Sequence, residues 1–334
     1  MKERLIVIGN GMAGMRTVEE ILKLDAEAYD ITVFGAEPHG NYNRIMLSPV
    51  LAGDKTIDEI MINDEQWYVD NNITLHKGKT IVDIDRKARK VIVDDGSEHE
   101  YDRLLIATGS NPFIIPVPGK DLPGVVAFRD IRDVDFMINT TLQKNKAVVI
   151  GGGLLGLEAA NGLIKRGMDV TVVHSNDGLM NLQMDLLSGS LLQKSLEKNG
   201  MKFAMNAQTT EISGEDCVKA VKMADGRVFN AYLVVMAVGI RPNITVGQKL
   251  GLEVNRGIIV NDQLNNTMSA IDEFSIELFD RMGSLCAPEA RLECLIEYCT
   301  KNNKLPEQKE EYNNVRIGSF LNGLLGVKMY KNNR

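Results

Sequence analysis

Cysteine is scarce, and what there is does not pair. Cys217, Cys286, Cys294 and Cys299 are the four cysteines in 334 residues, and no C-x-x-C occurs among them. That spacing offers no disulfide framework and points to a reducing, cytoplasmic setting. It also fits no zinc or iron–sulfur pattern, so no metal site is expected. No apolar run approaches the ~20 residues needed to cross a bilayer, and the N-terminus reads straight into a strand without a signal-peptide pattern. An excess of basic residues is missing as well. The formal net charge of −7 argues against nucleic acid or an anionic membrane as partner. What is present, 44% apolar and 25% charged residues, is ordinary for a soluble globular protein, and the length allows two domains with well-buried cores.

Glycine is placed with purpose. Leu5-Ile6-Val7-Ile8 reads as a buried parallel strand and runs without a spacer into Gly9-Asn10-Gly11-Met12-Ala13-Gly14, a G-x-G-x-x-G. In that pattern Gly9 allows the tight turn, and Gly11 keeps a side chain away from an approaching pyrophosphate. Gly14 lets the next helix lie close to the sheet, and that helix offers free N–H groups to phosphate. Residues 14–24 carry Val18, Ile21 and Leu22 at helical spacing, and Ile31 to Phe34 is the next strand, completing β-α-β. An acidic residue near its end is wanted for a ribose, and Glu37 is the candidate, two residues late because Gly35 fills the last strand slot. Arg44 follows in a segment where it could pair bidentately with a pyrophosphate.

The pattern then recurs. Ala147 to Ile150 runs into Gly151-Gly152-Gly153-Leu154-Leu155-Gly156, a helix follows as far as Lys165 and Arg166 with Gly167 as its C-cap, and Val170 to Val173 is the next strand. Gly151, Gly153 and Gly156 are the glycines that matter by spacing. Two such units indicate an internal duplication of a binding module. His174 takes the strand-end slot where a carboxylate selects NAD, leaving NADH and NADPH both open.

Between and beyond the loops, residues 54–72 read as helical and acidic, with Trp67 and Tyr68 as packing residues. Ile73 to Val93 reads as a small antiparallel excursion, with a hairpin turn at Asp94-Asp95-Gly96. Tyr101 to Ser110 is a strand ending in Ala107-Thr108-Gly109, where a ligand can approach, and Pro112 to Gly119 is a linker. Residues 185–199 form a helix. Ala231 to Gly239 is a buried strand, and Gly257 to Asp262 reads as a strand returning to the first domain.

In Gly9–Gly14, Ala107–Ser110, Gly151–Glu158 and Val238–Asn243, and in their order, the chain resembles the two-dinucleotide-domain flavoprotein reductases, the pyridine nucleotide–disulfide oxidoreductase superfamily. The segments Asn41–Ile45, Leu47–Gly53, Val172–His174 and Leu179-Met180 look most like the flavoprotein part of NAD(P)H nitrite reductase large subunits. The resemblance implies an α/β fold of two Rossmann-like, three-layer domains with parallel sheets. The NAD(P)-binding domain (113–242) is inserted in an FAD-binding domain (1–112 and 243–264), and a divergent tail (265–334) is read as helical. It implies FAD held by Gly9, Gly11, Met12, Ala13 and Gly14, with Glu37 on the ribose, Arg44 against the phosphates, Ala107, Thr108 and Gly109 beside the cofactor, and Arg129 in contact with it. It implies NAD(P)H held by Gly151, Gly153, Leu154, Leu155 and Gly156, with His174 and Gly239 nearby and Glu158 as the catalytic residue near the nicotinamide–flavin junction.

With no cysteine pair in residues 40–60, the disulfide-reductase branch is disfavoured, and electrons are expected to leave to a redox acceptor protein or domain. A ferredoxin- or rubredoxin-type reductase and a non-catalytic nucleotide-binding protein are the alternatives. Homo-oligomerisation is left open. After Asp262 the family's closing Gly-Asp is missing, and Ile271, Phe274, Leu278, Phe279 and Met282 recur at helical spacing instead.

Overall fold

The computed structural model describes residues 2–261 and the backbone of Ser275 and Ile276. They form two compact units, one of residues 2–46, 56–111 and 240–261, here unit 1, and one of 47–55 and 112–239, here unit 2.

Unit 1 is built on a five-stranded parallel sheet. Its strands lie in the order Ser275–Ile276, Arg103–Ile106, Glu3–Ile8, Tyr29–Gly35, Thr74–Lys77. The central strand is apolar because both its faces are covered: Leu5 to Ile8 are all buried. Helix Met12–Leu24 buries Ala13, Gly14, Met15 and Val18. Strands Ile81–Asp85, Lys90–Val93 and Glu98–Glu100 form a separate antiparallel sheet, with Gly96 in the expected turn at φ +84°. Ile81, Ile84, Val91 and Val93 pack there in one core with Ile6, Ile8 and Phe34. Thr74–Lys77 is not part of that antiparallel excursion, because it pairs in parallel with Tyr29–Gly35.

Three other expectations need correction. Residues 54–72 are not one helix. Met61–Asn63 pairs antiparallel with Asn41–Tyr42, and Asp64 then starts a short helix, Glu65–Asp70, by accepting the Trp67 N–H. Gly257 to Asp262 is not a strand within the described residues. A single bridge joins Val254 and Ile258, and Ile258 is buried with Val246, Leu250 and Leu252 instead of entering a ladder. Ser275 and Ile276, within the stretch read as helical, pair in parallel with Leu104 and Leu105, where a sheet edge offers free backbone groups. The rest of the helical reading over 265–334, with Cys286, Cys294 and Cys299, lies outside the described residues.

Unit 2 repeats the plan in the order Val125–Val126, Leu233–Met236, Lys146–Ile150, Asp169–Val173, Lys202–Ala204, all in parallel. Helix Leu154–Lys165 lies against it through Gly156, Leu157, Ala159, Ala160, Gly162 and Leu163. It ends with Arg166 as C-cap and Gly167 at φ +85°. The N–H groups of Gly167 and Met168 return to the carbonyls of Ile164 and Leu163. Arg166 also reaches beyond its own helix. Its guanidinium donates to the carbonyls of Val50, at 3.0 Å, and Leu51, while Lys165 pairs with Asp54 at 2.7 Å. These bonds tie the short helix Leu47–Ala52 to unit 2. Among the described residues no helix is long and apolar enough to cross a membrane.

Candidate functional site

The two glycine loops are built alike. Parallel register sets Ile8 level with Phe34 and Ile106, and Ile150 level with Val173 and Met236. Each chain then leaves its central strand through a glycine in the left-handed region, Gly9 at φ +117° and Gly151 at φ +121°. A Cβ there meets backbone of the neighbouring strand end, 2.2 Å from the Ala107 oxygen in unit 1 and 2.3 Å from the Ala237 oxygen in unit 2. Gly14 and Gly156 pack against their own loops, with an added Cβ 2.6 Å and 2.0 Å from the carbonyl oxygens of Gly9 and Gly151. Gly11 and Gly153 differ from these, since a Cβ on either meets nothing within 4 Å. They leave open the space that a phosphate needs.

The helices behind the loops are also exposed to an anion. Glu65–Asp70, Ile131–Thr141 and Leu186–Lys198 begin behind Asp64, Asp130 and Asp185, each of which accepts a first-turn N–H. Met12–Leu24 and Leu154–Lys165 begin behind Gly11 and Gly153, with no side-chain cap and no acidic residue in the first turn. Their first-turn donors are free to bind the oxygens of a phosphate. Leu154 and Leu155 stand 40% and 38% exposed beside the second loop, apolar surface that a bound nucleotide would cover. Met12 is half-buried and Ala13 buried beside the first.

Glu37 and Arg44 are brought together. The Arg44 guanidinium lies 2.5 Å from the Glu37 carboxylate and over the Tyr42 ring, and the Tyr42 hydroxyl donates to Glu37 at 2.6 Å. The Thr108 hydroxyl donates to the carbonyl of Asn243 at 2.8 Å, and the Gly109 carbonyl accepts from the Asn243 N–H at 2.8 Å. Residues 107–109 are thereby held at the strand end. Asn10 had no assigned part in the sequence reading, yet it fixes the first loop. Its amide donates to the His39 carbonyl at 3.2 Å and its oxygen accepts from the Tyr68 hydroxyl at 2.8 Å. Tyr68 is therefore more than packing. Burial pushes its pKa up to about 12, so the hydroxyl keeps its proton.

In unit 2, Arg129 lies in the turn before helix Ile131–Thr141, where its backbone N–H donates to Asp133 at 2.7 Å. Burial, with Asp130 nearby, raises the Asp133 pKa. Gly239 has φ +117° and open space where a Cβ would stand. Glu158 sits in the second turn of the loop helix and accepts from the Ser48 hydroxyl at 2.5 Å. Burial raises its pKa, and the Ser48 hydrogen bond opposes the shift. No short motif announced Ser48, because 110 residues separate it from its partner.

The His174 side chain packs on the second glycine loop. Its ring is buried, its Nδ1 accepts the Gly152 N–H at 3.1 Å, and its Nε2 has no protein partner among the described residues. A backbone N–H can only donate, so Nδ1 carries no proton in this arrangement. A Cβ on Gly152 would fall 2.8 Å from the imidazole Cγ.

Residues 3–271 match the family model described as pyridine nucleotide-disulphide oxidoreductase. The chain is 53% identical over 270 residues to a nitrite reductase [NAD(P)H] of Bacillus subtilis, covering 81% of this chain and 34% of that protein. It is 47% identical to the assimilatory nitrate reductase electron transfer subunit of the same organism, covering 78% and 34%. Among solved structures it is similar to a ferredoxin reductase from Rhodopseudomonas palustris, at 29% identity and a TM-score of 0.74, covering 79% of this chain and 65% of that one. The chain thus spans about a third of the length of these two curated relatives. By its loops, its repeated sheet plan and this match over most of its length, the chain belongs to the pyridine nucleotide-disulphide oxidoreductase family.

Proposed function

We propose that this chain is an FAD-dependent NAD(P)H oxidoreductase that binds FAD on unit 1 and NAD(P)H on unit 2 and passes electrons to a redox acceptor protein or domain. The observation that carries the reading is the pair of glycine loops, one per unit. Each has space for a phosphate at its second glycine and a helix N-terminus that no side chain caps. When bound, FAD supplies what side chains lack, a centre that takes a hydride from NAD(P)H and gives up the two electrons to an acceptor.

The residues bind, orient and exclude water. Gly9, Gly11 and Gly14, with the backbone of Met12 and Ala13, hold the FAD pyrophosphate. Glu37 would meet the adenosine ribose while Arg44 and Tyr42 keep its carboxylate in place, and Arg44 is also the candidate partner of the FAD phosphates. Gly151, Gly153 and Gly156 would hold the NAD(P)H pyrophosphate, and the bound nucleotide would cover Leu154 and Leu155. Glu158, buried and bonded to the Ser48 hydroxyl, is the residue that would stand near a bound nicotinamide.

The names of the two Bacillus relatives support an acceptor of the nitrite reductase kind, while the likeness to a ferredoxin reductase supports a separate ferredoxin-type acceptor as the second reading. The test is anaerobic titration. The protein loaded with FAD should lose its flavin absorbance on addition of NADH or NADPH and then reduce an artificial dye. A protein that stays colourless after incubation with FAD, yet binds NADH, overturns the proposal and favours a nucleotide-binding protein without flavin.

A further inference from the structure

We infer that Asn176, and not His174, is the residue that reads the 2′ position of the nicotinamide nucleotide, and that His174 is a positioning residue that shapes the phosphate loop. This rests on the reading that unit 2 binds NAD(P)H.

The argument is the register of the duplication. Phe34 is level with Ile8 and Val173 with Ile150, so Gly35 corresponds to His174 and Glu37 to Asn176. The backbone hydrogen bonds agree. The carbonyls of Gly35 and Glu37 accept from the N–H groups of Lys79 and Gly78, at 2.9 and 3.0 Å. The carbonyls of His174 and Asn176 accept from Ala207 and Asn206, at 2.8 and 3.1 Å. The two strand ends follow one path, and the ribose candidate of unit 1 maps onto an exposed asparagine.

The strand-end position itself does another job in both units. In unit 1 a Cβ on Gly35 would fall 2.8 Å from the Asn10 Cβ, so a small strand-end residue makes room for a large loop residue. Unit 2 exchanges the sizes. Gly152 is the small loop residue and His174 fills the space, with Nδ1 on the Gly152 N–H. Both arrangements fix the residue between the first two glycines. That N–H of unit 2 is therefore committed to the imidazole, and phosphate is left with the helix donors beyond Gly153. A neutral amide at the ribose position can bond a 2′-hydroxyl and does not repel a 2′-phosphate, so NADH and NADPH both fit.

The test is the affinity of the FAD-loaded protein for NADH and for NADPH, measured by titration calorimetry. Wild type should bind both within about tenfold of each other. N176E should shift the ratio toward NADH by roughly tenfold or more, and the neighbouring D177N should leave it unchanged. H174L should weaken both nucleotides by one common factor, on the order of tenfold, with the ratio kept. H174N, which retains an acceptor for the Gly152 N–H, should recover most of the loss. An unchanged ratio in N176E, a changed ratio in D177N or H174L, or no recovery in H174N overturns the inference. Asn176 is exposed, so N176E decides the assignment even if H174L does not fold. A wild type that binds neither nucleotide overturns the reading beneath it.

Discussion

At the scale of single residues, the loop glycines divide into two kinds. Gly14 and Gly156 are required by the fold itself. G156A sets a methyl group 2.0 Å from the Gly151 carbonyl oxygen, so it should destabilise the protein by about 1–3 kcal/mol or more, read from denaturant melts. Gly153 is required only by a ligand, because a Cβ there meets nothing within 4 Å. Glu158 adds a prediction in pH. Burial raises its pKa above the ordinary 4.5, so near pH 4 it is protonated in both folded and unfolded chains and has no differential effect. As pH rises, the unfolded chain ionises first, and the folded state loses stability until its own pKa is passed. E158Q should therefore match wild type near pH 4 and melt at a higher temperature at pH 7. A constant difference across that range contradicts the assignment. The residue positions that a sequence makes legible are those tied to one local conformation, such as Gly9 or Gly151. The Asn10–Tyr68 and Gly152–His174 bonds join residues 58 and 22 apart, and only packing reveals them.

At the scale of elements, strands and loop helices follow from apolar runs and glycine spacing. The mistaken elements are those decided by partners distant in sequence. Met61–Asn63 looked helical because its local propensity is weak, and pairing with Asn41–Tyr42 decides it. Helix Leu47–Ala52 is held in unit 2 by Arg166, whose guanidinium reaches the Val50 and Leu51 carbonyls. R166M should free two carbonyls, cost about 1–3 kcal/mol, and loosen the segment that carries Ser48, read as a lower melting temperature and a smaller E158Q effect. The strands of unit 1 carry their own titration. Phe34 stacks on His76 at 4.6 Å with His99 near both, and burial, helped by the His99 charge, lowers the His76 pKa from its ordinary 6.5. Below that value the unfolded chain takes up the proton more readily than the folded one, so stability is lost as pH falls. H76F keeps the stack without the proton. Its stability should fall less than that of wild type between pH 7 and 5, and equal slopes count against the mechanism.

At the scale of the whole molecule, one binding plan is used twice, and the two copies have diverged in what they fix and what they read. Glu37 faces Arg44 in the first copy, and the corresponding Asn176 is neutral in the second. The duplication itself was legible in the sequence because both loops keep their glycines. The closing segment after Asp262 was not, since it lacks the Gly-Asp expected there and its apolar residues recur at helical spacing instead. Ligand binding should appear as stability. At a hundredfold excess over its Kd, NADH should add about 2.7 kcal/mol to the unfolding free energy of wild type, and none to G153V.

The most direct measurement of the division of labour is a paired one on G11V and G153V, two changes made where a Cβ meets open space. Flavin absorbance after reconstitution and NADH affinity are read on each purified variant. The account predicts that G11V loses flavin and keeps NADH binding, while G153V keeps flavin and loses NADH binding. Loss of both ligands in either variant, or retention of flavin in G11V, contradicts it.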